Sequence, residues 1–322
     1  MSVAAAYRAP AWLRGGHAQT LWPLLRKAPP PAYRRERWHT PDGDFVDLDW
    51  IGTSVGAVPL VALFHGLEGS SRSHYARSLM HACAARGWTG VVVHFRGCSG
   101  EPNRLPRGYH SGDSAEIDWI LRRLRSRLPA AAPLFAAGVS LGGNALLKWL
   151  GERGETAAIV AAAAAVSAPL DLAAANAALA SGFARVYGRN FLRTLIPAAL
   201  AKLDRHPGLY DPARVRAART LRDFDDAVTA PLHGFRDAAD YYARSSARGY
   251  LNGIRVPTWL LNARNDPFLP AAALPDATHL PGAVRAEFPA AGGHVGFVRG
   301  PFPGRLDWLP QRLLAHFAAH LG

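Results

Sequence analysis

Short apolar runs punctuate the first half of the chain: Leu60–Phe64, Val91–Phe95 with His94 its one polar member, Pro133–Ala137 and Ala158–Val166. A strand covered on both faces needs such a run, because neither set of alternating side chains meets water. Between these runs, apolar residues recur every three or four positions instead. Tyr75, Leu79 and Cys83 precede a stop at Gly87. Ile117, Ile120, Leu121, Leu124 and Leu128 form one stripe behind Ser111 and Asp113, residues that suit a helix start. Ala145–Leu150 reads as another helix, and a closing one carries Leu309, Leu313, Leu314, Phe317 and Leu321. Strands alternating with helices predict an α/β fold, a mostly parallel central sheet flanked by helices. Ahead of it, Arg34–His39 and Phe45–Ile51 flank the turn signal Pro41-Asp42-Gly43-Asp44, which predicts a hairpin.

From about residue 170 to 248 the strand-like runs vanish, and Ala, Arg, Phe and Tyr recur at helical spacings. This stretch is predicted to be a helical insertion lying over the sheet. Strands resume at Thr258–Leu261 and Val284–Phe288. The expected organisation is one domain over 1–322, with a core of 1–169 and 249–322 and a helical cap at 170–248.

With 322 residues and 49% hydrophobic content the chain can bury a sizeable core. Two cysteines, Cys83 and Cys98, are too few for a disulfide framework or a cysteine-ligated zinc site, and fit a reducing compartment. Residues 1–8 lack the basic start and apolar core of a signal peptide. The apolar stretch 157–170 falls short of the ~18–20 residues a membrane span needs. A soluble cytoplasmic protein is expected, with at most peripheral membrane contact. The net charge of +13 is nearly all arginine, since Lys27, Lys148 and Lys202 are the only lysines. Those arginines are scattered and no nucleic-acid motif accompanies them, so the excess reads as compositional bias and no nucleic-acid partner is expected. A weak attraction to acidic surfaces stays open.

The chemistry centres on Gly138-Val139-Ser140-Leu141-Gly142, set between an apolar strand and a helix. A serine at such a junction is held on a tight turn with its hydroxyl pushed out over the strand edge. Side chains at the flanking positions would crowd so sharp a turn, hence the glycines. Serine is a poor nucleophile at neutral pH and needs a base, which in turn needs an orienting acid. Downstream, Asp266 follows the strand 258–261 on a turn enforced by Pro267, and His294 follows the next strand between glycines. Both would converge with Ser140 outside the carboxyl ends of the strands. Asp171, after the preceding strand, is the alternative acid. Oxyanion donors are expected from the backbone N–H groups of Leu141, after the nucleophile, and of Leu67 in His65-Gly66-Leu67-Glu68-Gly69. His65 is expected to shape that loop rather than act as a base. His17, His74, His81 and His110 show no metal-ligand spacing and are assigned surface or buffering roles. Arg96, Glu101, Asn103 and Asp113 are read as structural ties near the site. Phe183, Phe191, Leu192, Leu195 and Ile196 are candidates for an acyl pocket, with packing between cap and core as the competing explanation.

Several longer strings carry a resemblance. They are Gly16-His17-Ala18-Gln19-Thr20, His65 to Ser71, Phe95 to Arg104, Tyr109-His110-Ser111-Gly112, and Asp225 to Phe235. In these, and in their order over almost the whole chain, the protein resembles the YheT-like branch of the α/β-hydrolases. That resemblance implies an α/β-hydrolase fold, Ser140, Asp266 and His294 as a triad, and carboxylic ester hydrolysis on short- or medium-chain esters and glycerolipids. It implies a small-molecule ester or lipid as partner, and the chemistry requires no metal or organic cofactor. Acyl transfer to alcohols by the same triad is the alternative; peptidase activity and a non-catalytic interaction role on this fold are further ones.

Overall fold

The computed structural model describes residues 6–26, 28–52 and 57–321. Lys27 and the first five residues of the N-terminal stretch considered above lie outside them.

Eight strands form one sheet: β1 (Arg34–His39), β2 (Phe45–Ile51), β3 (Leu60–Phe64), β4 (Thr89–Val93), β5 (Leu134–Val139), β6 (Ala162–Val166), β7 (Thr258–Leu261) and β8 (Val284–Glu287). Their order is β1-β2-β4-β3-β5-β6-β7-β8. The hairpin β1–β2 is antiparallel and joins β4 antiparallel, whereas all pairs from β4 to β8 run parallel. The helices of the flanking layers are α2 (His74–Ala85), α3 (Ser114–Arg127), α4 (Leu141–Arg153) and, at the end, α11 (Trp308–Ala318), whereas α1 (Gly16–Leu25) lies beside the loops that follow β7 and β8. Between β6 and β7 come α5 (Leu172–Leu179), α6 (Arg185–Arg205), α7 (Pro212–Ala217), α8 (Leu221–Phe224), α9 (Ala230–His233) and α10 (Ala238–Ser245).

The unbroken apolar strands serve two cores at once. Leu60, Ala62 and Phe64 of β3 point to the side packed by α3 and α4, with Ile117, Leu121, Leu146 and Trp149. Val61 and Leu63 point to the opposite side, against Leu79 and Met80 of α2 and Leu313 and Phe317 of α11. This alternation makes the three-layer sandwich. Along β1–β2 the register sets Arg35 opposite Asp49 and Arg37 opposite Asp47, and both pairs are bonded ion pairs at 2.7 and 2.8 Å. Arg96 is buried and joins Asp42, Asp44 and Glu116, while the Asn103 amide donates to Asp44. Arg96 and Asn103 are thus structural ties, as expected, and the Glu101 carboxylate pairs with Arg37.

Some expectations shift. The strand predicted over 158–166 begins only at Ala162; Gly154–Ala157 forms a tight helical turn and the chain then bends into β6. A run of alanine carries no periodic signal to mark where the turn gives way to strand. The strand predicted over 91–95 runs instead from Thr89 to Val93. Asp113 stands at the start of α3, but its carboxylate pairs with Arg107 at 2.6 Å instead of capping the helix.

The helices from α6 to α9 carry a small apolar core of their own, containing Leu192, Tyr210, Val215, Phe224 and Val228. Between α8 and α9 the backbone widens into a π-helical turn over Asp225–Thr229. There the Asp225 carboxylate accepts from Thr229 Oγ1 at 2.7 Å and Tyr242 Oη at 2.8 Å. Burial, reinforced by the charge of Asp226, outweighs those bonds and pushes the Asp225 carboxyl up to about 6. A carboxyl raised in the folded state binds its proton more tightly there, so folding stability declines as pH climbs from the ordinary aspartate range through 6. Asp225→Asn is therefore expected to stabilise the protein by about 1–2 kcal/mol at pH 8 and to leave it nearly unchanged at pH 4, which thermal melts at the two pH values check.

Candidate functional site

Ser140 follows β5 and precedes α4 with φ 53° and ψ −123°, a left-handed conformation strained for a residue with a side chain. Its backbone N–H donates to Val166 O of β6 at 2.9 Å, which holds the turn in the sheet. The two glycines of the motif are required by close approach. A Cβ on Gly138 would sit 2.5 Å from Gly142 O, and one on Gly142 would sit 2.5 Å from both Phe64 O and His65 O. The elbow is thereby pressed against the loop after β3, and Gly142 N–H donates to His65 O at 3.1 Å.

His294 Nε2 lies 3.0 Å from Ser140 Oγ, and His294 Nδ1 lies 2.9 Å from Asp266 Oδ2. A carboxylate only accepts, so the imidazole proton sits on Nδ1 and Nε2 is left to accept from the serine hydroxyl. Asp266 is almost fully buried, and its other oxygen takes Phe268 N–H at 2.8 Å. Asp171, the alternative acid, accepts instead from Ala174 N–H as the cap of α5 and lies 3.9 Å from Arg248. The structure therefore brings Ser140, His294 and Asp266 together and leaves Asp171 outside.

The loop after β3 uses most of its amides internally. Gly66 N–H donates to Tyr75 Oη, Glu68 N–H to Tyr109 Oη and Gly69 N–H to Gly66 O, each at 2.9 Å. Among the described residues this leaves the N–H of Leu67 without a partner. A Cβ built on neighbouring Gly66 would stand 3.0 Å from Ser140 Cβ, so the loop packs directly beside the serine. Leu141 opens α4, where the first N–H groups have no partner within the helix and the dipole favours negative charge. His65 is fully buried, accepts Phe95 N–H on Nε2 at 3.1 Å and donates from Nδ1 to Gly66 O at 2.7 Å. Burial holds its pKa down at about 3, so it is a neutral brace for the loop.

Several supporting residues carried no clear sequence signal. The string Gly16–Thr20 is the start of helix α1, where Thr20 Oγ1 accepts the N–H of His294 at 2.9 Å. Asn265 Oδ1 accepts Gly293 N–H and Ser167 Oγ accepts Val295 N–H, fixing the histidine loop on both sides. The ring of Phe268 stacks on His294 with centroids 3.9 Å apart. His74 is buried and bonds Val295 O through Nε2 at 3.0 Å, so its expected surface role is corrected: the histidine loop folds over it. His110 likewise packs among His233, Phe235 and Tyr241, and burial lowers its pKa to about 3. Among the described residues no group of three or more His, Cys, Asp or Glu side chains is placed to hold a metal ion.

A cavity of about 430 Å³ opens onto Ser140 and His294 and is walled by Leu21, Leu24, Phe183, Tyr187, Phe191 and Phe268. Of the candidate acyl-pocket residues, Phe183 and Phe191 line it. Leu195 borders a second cavity of about 320 Å³ beneath α6, while Leu192 and Ile196 belong to the insertion's own core and outer groove. Packing within the insertion thus accounts for the last two.

The sequence model of the α/β hydrolase fold matches residues 59–301. YheT of Escherichia coli K12, a candidate esterase by name, is 43% identical over 92% of this chain and 88% of its own. The chain belongs to the α/β-hydrolase family, in its YheT-like branch. Mouse phospholipase ABHD3 is 31% identical over 93% of this chain and 75% of its own length. Among solved structures, an esterase of Pyrococcus furiosus superposes with a TM-score of 0.59 at 17% identity, covering 90% of this chain and 92% of the other. That likeness speaks to the fold. This α/β-hydrolase is an enzyme of the esterase and lipase type. No helix of the described residues is long and apolar enough to cross a membrane.

Proposed function

We propose that the protein is a serine carboxylic ester hydrolase acting on short- to medium-chain acyl esters, acylglycerols among them. Ser140 Oγ attacks the ester carbonyl as His294 Nε2 takes its proton, and Asp266 stabilises the imidazolium that forms. The N–H groups of Leu67 and Leu141 receive the oxyanion, each contributing about 3–4 kcal/mol at the transition state. Collapse returns the proton from His294 to the leaving alcohol and yields an acyl-serine. Water deprotonated by His294 then attacks that ester, and His294 returns the proton to Ser140 Oγ as the acid is freed. The helices of residues 170–248 act as a cap that closes the acyl cavity from above.

The observation that carries this reading is the unbroken hydrogen-bond chain from Ser140 through His294 to the buried Asp266. The aromatic and aliphatic walls of a 430 Å³ cavity favour an acyl group of moderate length over a charged substrate. The phospholipase relative supports glycerolipids as a substrate class. Hydrolysis of p-nitrophenyl esters from acetate to palmitate tests it: turnover with an optimum between butyrate and decanoate is expected. A folded protein that hydrolyses none of them, or an added alcohol that captures nearly all the acyl group, would overturn it.

A further inference from the structure

Seven large apolar side chains stand exposed among the described residues, and six of them gather around one end of the molecule. Leu21 and Leu24 of α1, with Phe183 just before α6 and Val186 in its first turn, line the cavity that opens onto Ser140. Leu25, 76% exposed, follows on the same face of α1. Phe302, 71% exposed, packs edge-on against Trp12 and beside Trp22, so the apolar surface continues past α1. Rings bridge the two helices, for His17 stacks on Tyr187 and meets Phe183 edge-on. A soluble protein gains nothing by concentrating such side chains in water, and a contiguous patch of this kind marks an interaction surface.

The two helical segments that build this patch carry charge of one sign. Residues 1–35 and 172–203 contain no Asp or Glu, although the chain has 24 of them. The same stretches carry Arg8, Arg14 and Arg26 beside α1, and Arg185, Arg189 and Arg193 on α6, all solvent-exposed. An apolar ridge flanked by exposed arginines, with Glu68 as the one exposed carboxylate on the cavity wall, matches a surface with anionic headgroups above hydrocarbon, where both terms act together.

We propose that the exposed ends of α1 and α6, with Phe302, dock the protein onto anionic lipid surfaces, placing the cavity mouth against the bilayer so that acyl esters enter from the lipid phase. The orientation of the mouth rests on the hydrolase reading above; the docking itself does not, since it is read by binding.

The test is flotation of the full chain with vesicles of phosphatidylcholine alone and of equal parts phosphatidylcholine and phosphatidylglycerol, with p-nitrophenyl acetate turnover measured in parallel. Wild type is expected to float with the anionic vesicles at low salt, to be released by high salt, and to ignore neutral ones. Arg26→Gln and Arg189→Gln are each expected to weaken binding about fivefold. Leu25→Ser combined with Phe302→Ser is expected to weaken it at least tenfold. Neither residue touches the catalytic groups, so turnover of the soluble ester should stay at the wild-type level and report that the variants are folded. Absence of flotation with anionic vesicles, or flotation unaffected by both sets of substitutions in active protein, would overturn the proposal. So would self-association that the same substitutions abolish without any vesicle binding, since the patch would then cover a second copy of the chain. Loss of ester turnover with vesicle binding intact would count against the catalytic reading alone.

Discussion

Replacing Ser140 by Ala is expected to lower ester turnover by about 10⁴–10⁶-fold, leaving only the residual contribution of the oxyanion donors and binding. The fold should not notice. The strained φ of 53° is imposed by the glycines on either side and by the bond from Ser140 N–H to Val166 O, none of which involves the hydroxyl. A melting temperature within about 2 °C of wild type is therefore expected. Initial rates on the best p-nitrophenyl ester, with melting curves on the same samples, check both halves. Wild-type turnover in the variant would remove Ser140 from the mechanism.

Asp266→Asn is expected to cost about 10³–10⁴-fold in kcat with little change in KM. An amide in place of the carboxylate presents an N–H to the imidazole, so the ring is driven to carry its proton on Nε2. That nitrogen can then no longer accept from Ser140 Oγ, although it remains 3.0 Å away. Asp171→Asn is the matched control. Its carboxylate caps α5 by accepting from Ala174 N–H, a task asparagine performs about equally well, and turnover should stay within about twofold. The pair of variants separates the two acids that chain position alone left as alternatives. Similar losses in both, or a larger one at Asp171, would reverse the assignment.

The contrast between these two aspartates shows how far the sequence reaches. Each follows a strand, so each stands at the carboxyl end of the sheet where ligands bind. Only the path of the loops decides which reaches the histidine, and that path depends on contacts distant in sequence. Thr20 takes the N–H of His294 across most of the chain, and its helix was not legible beforehand. Gly15 precedes α1, Gly16 opens it and Pro23 lies inside it, signals that usually mark a loop. By contrast, the buried strands β3 and β5 and the glycine-flanked elbow were plain, because double-sided burial and close backbone approach each restrict residue type strongly. Alanine hides boundaries for the opposite reason: it suits strand, turn and helix alike, so β6 was drawn too long. Along the chain the arginine excess is scattered. Its concentration emerges only when α1 and α6 are brought together at the cavity mouth, two segments that share an absence of acids.

The central claim is that Ser140 becomes a covalent acyl carrier. Treating wild type and Ser140→Ala with a fluorophosphonate, then measuring intact mass and mapping the modified peptide, tests it most directly. The account predicts a single adduct on wild type, located on Ser140, with loss of ester turnover in proportion to labelling and no adduct on the variant. An adduct on another residue, or inactivation of wild type that proceeds equally in labelling of Ser140→Ala, would contradict it.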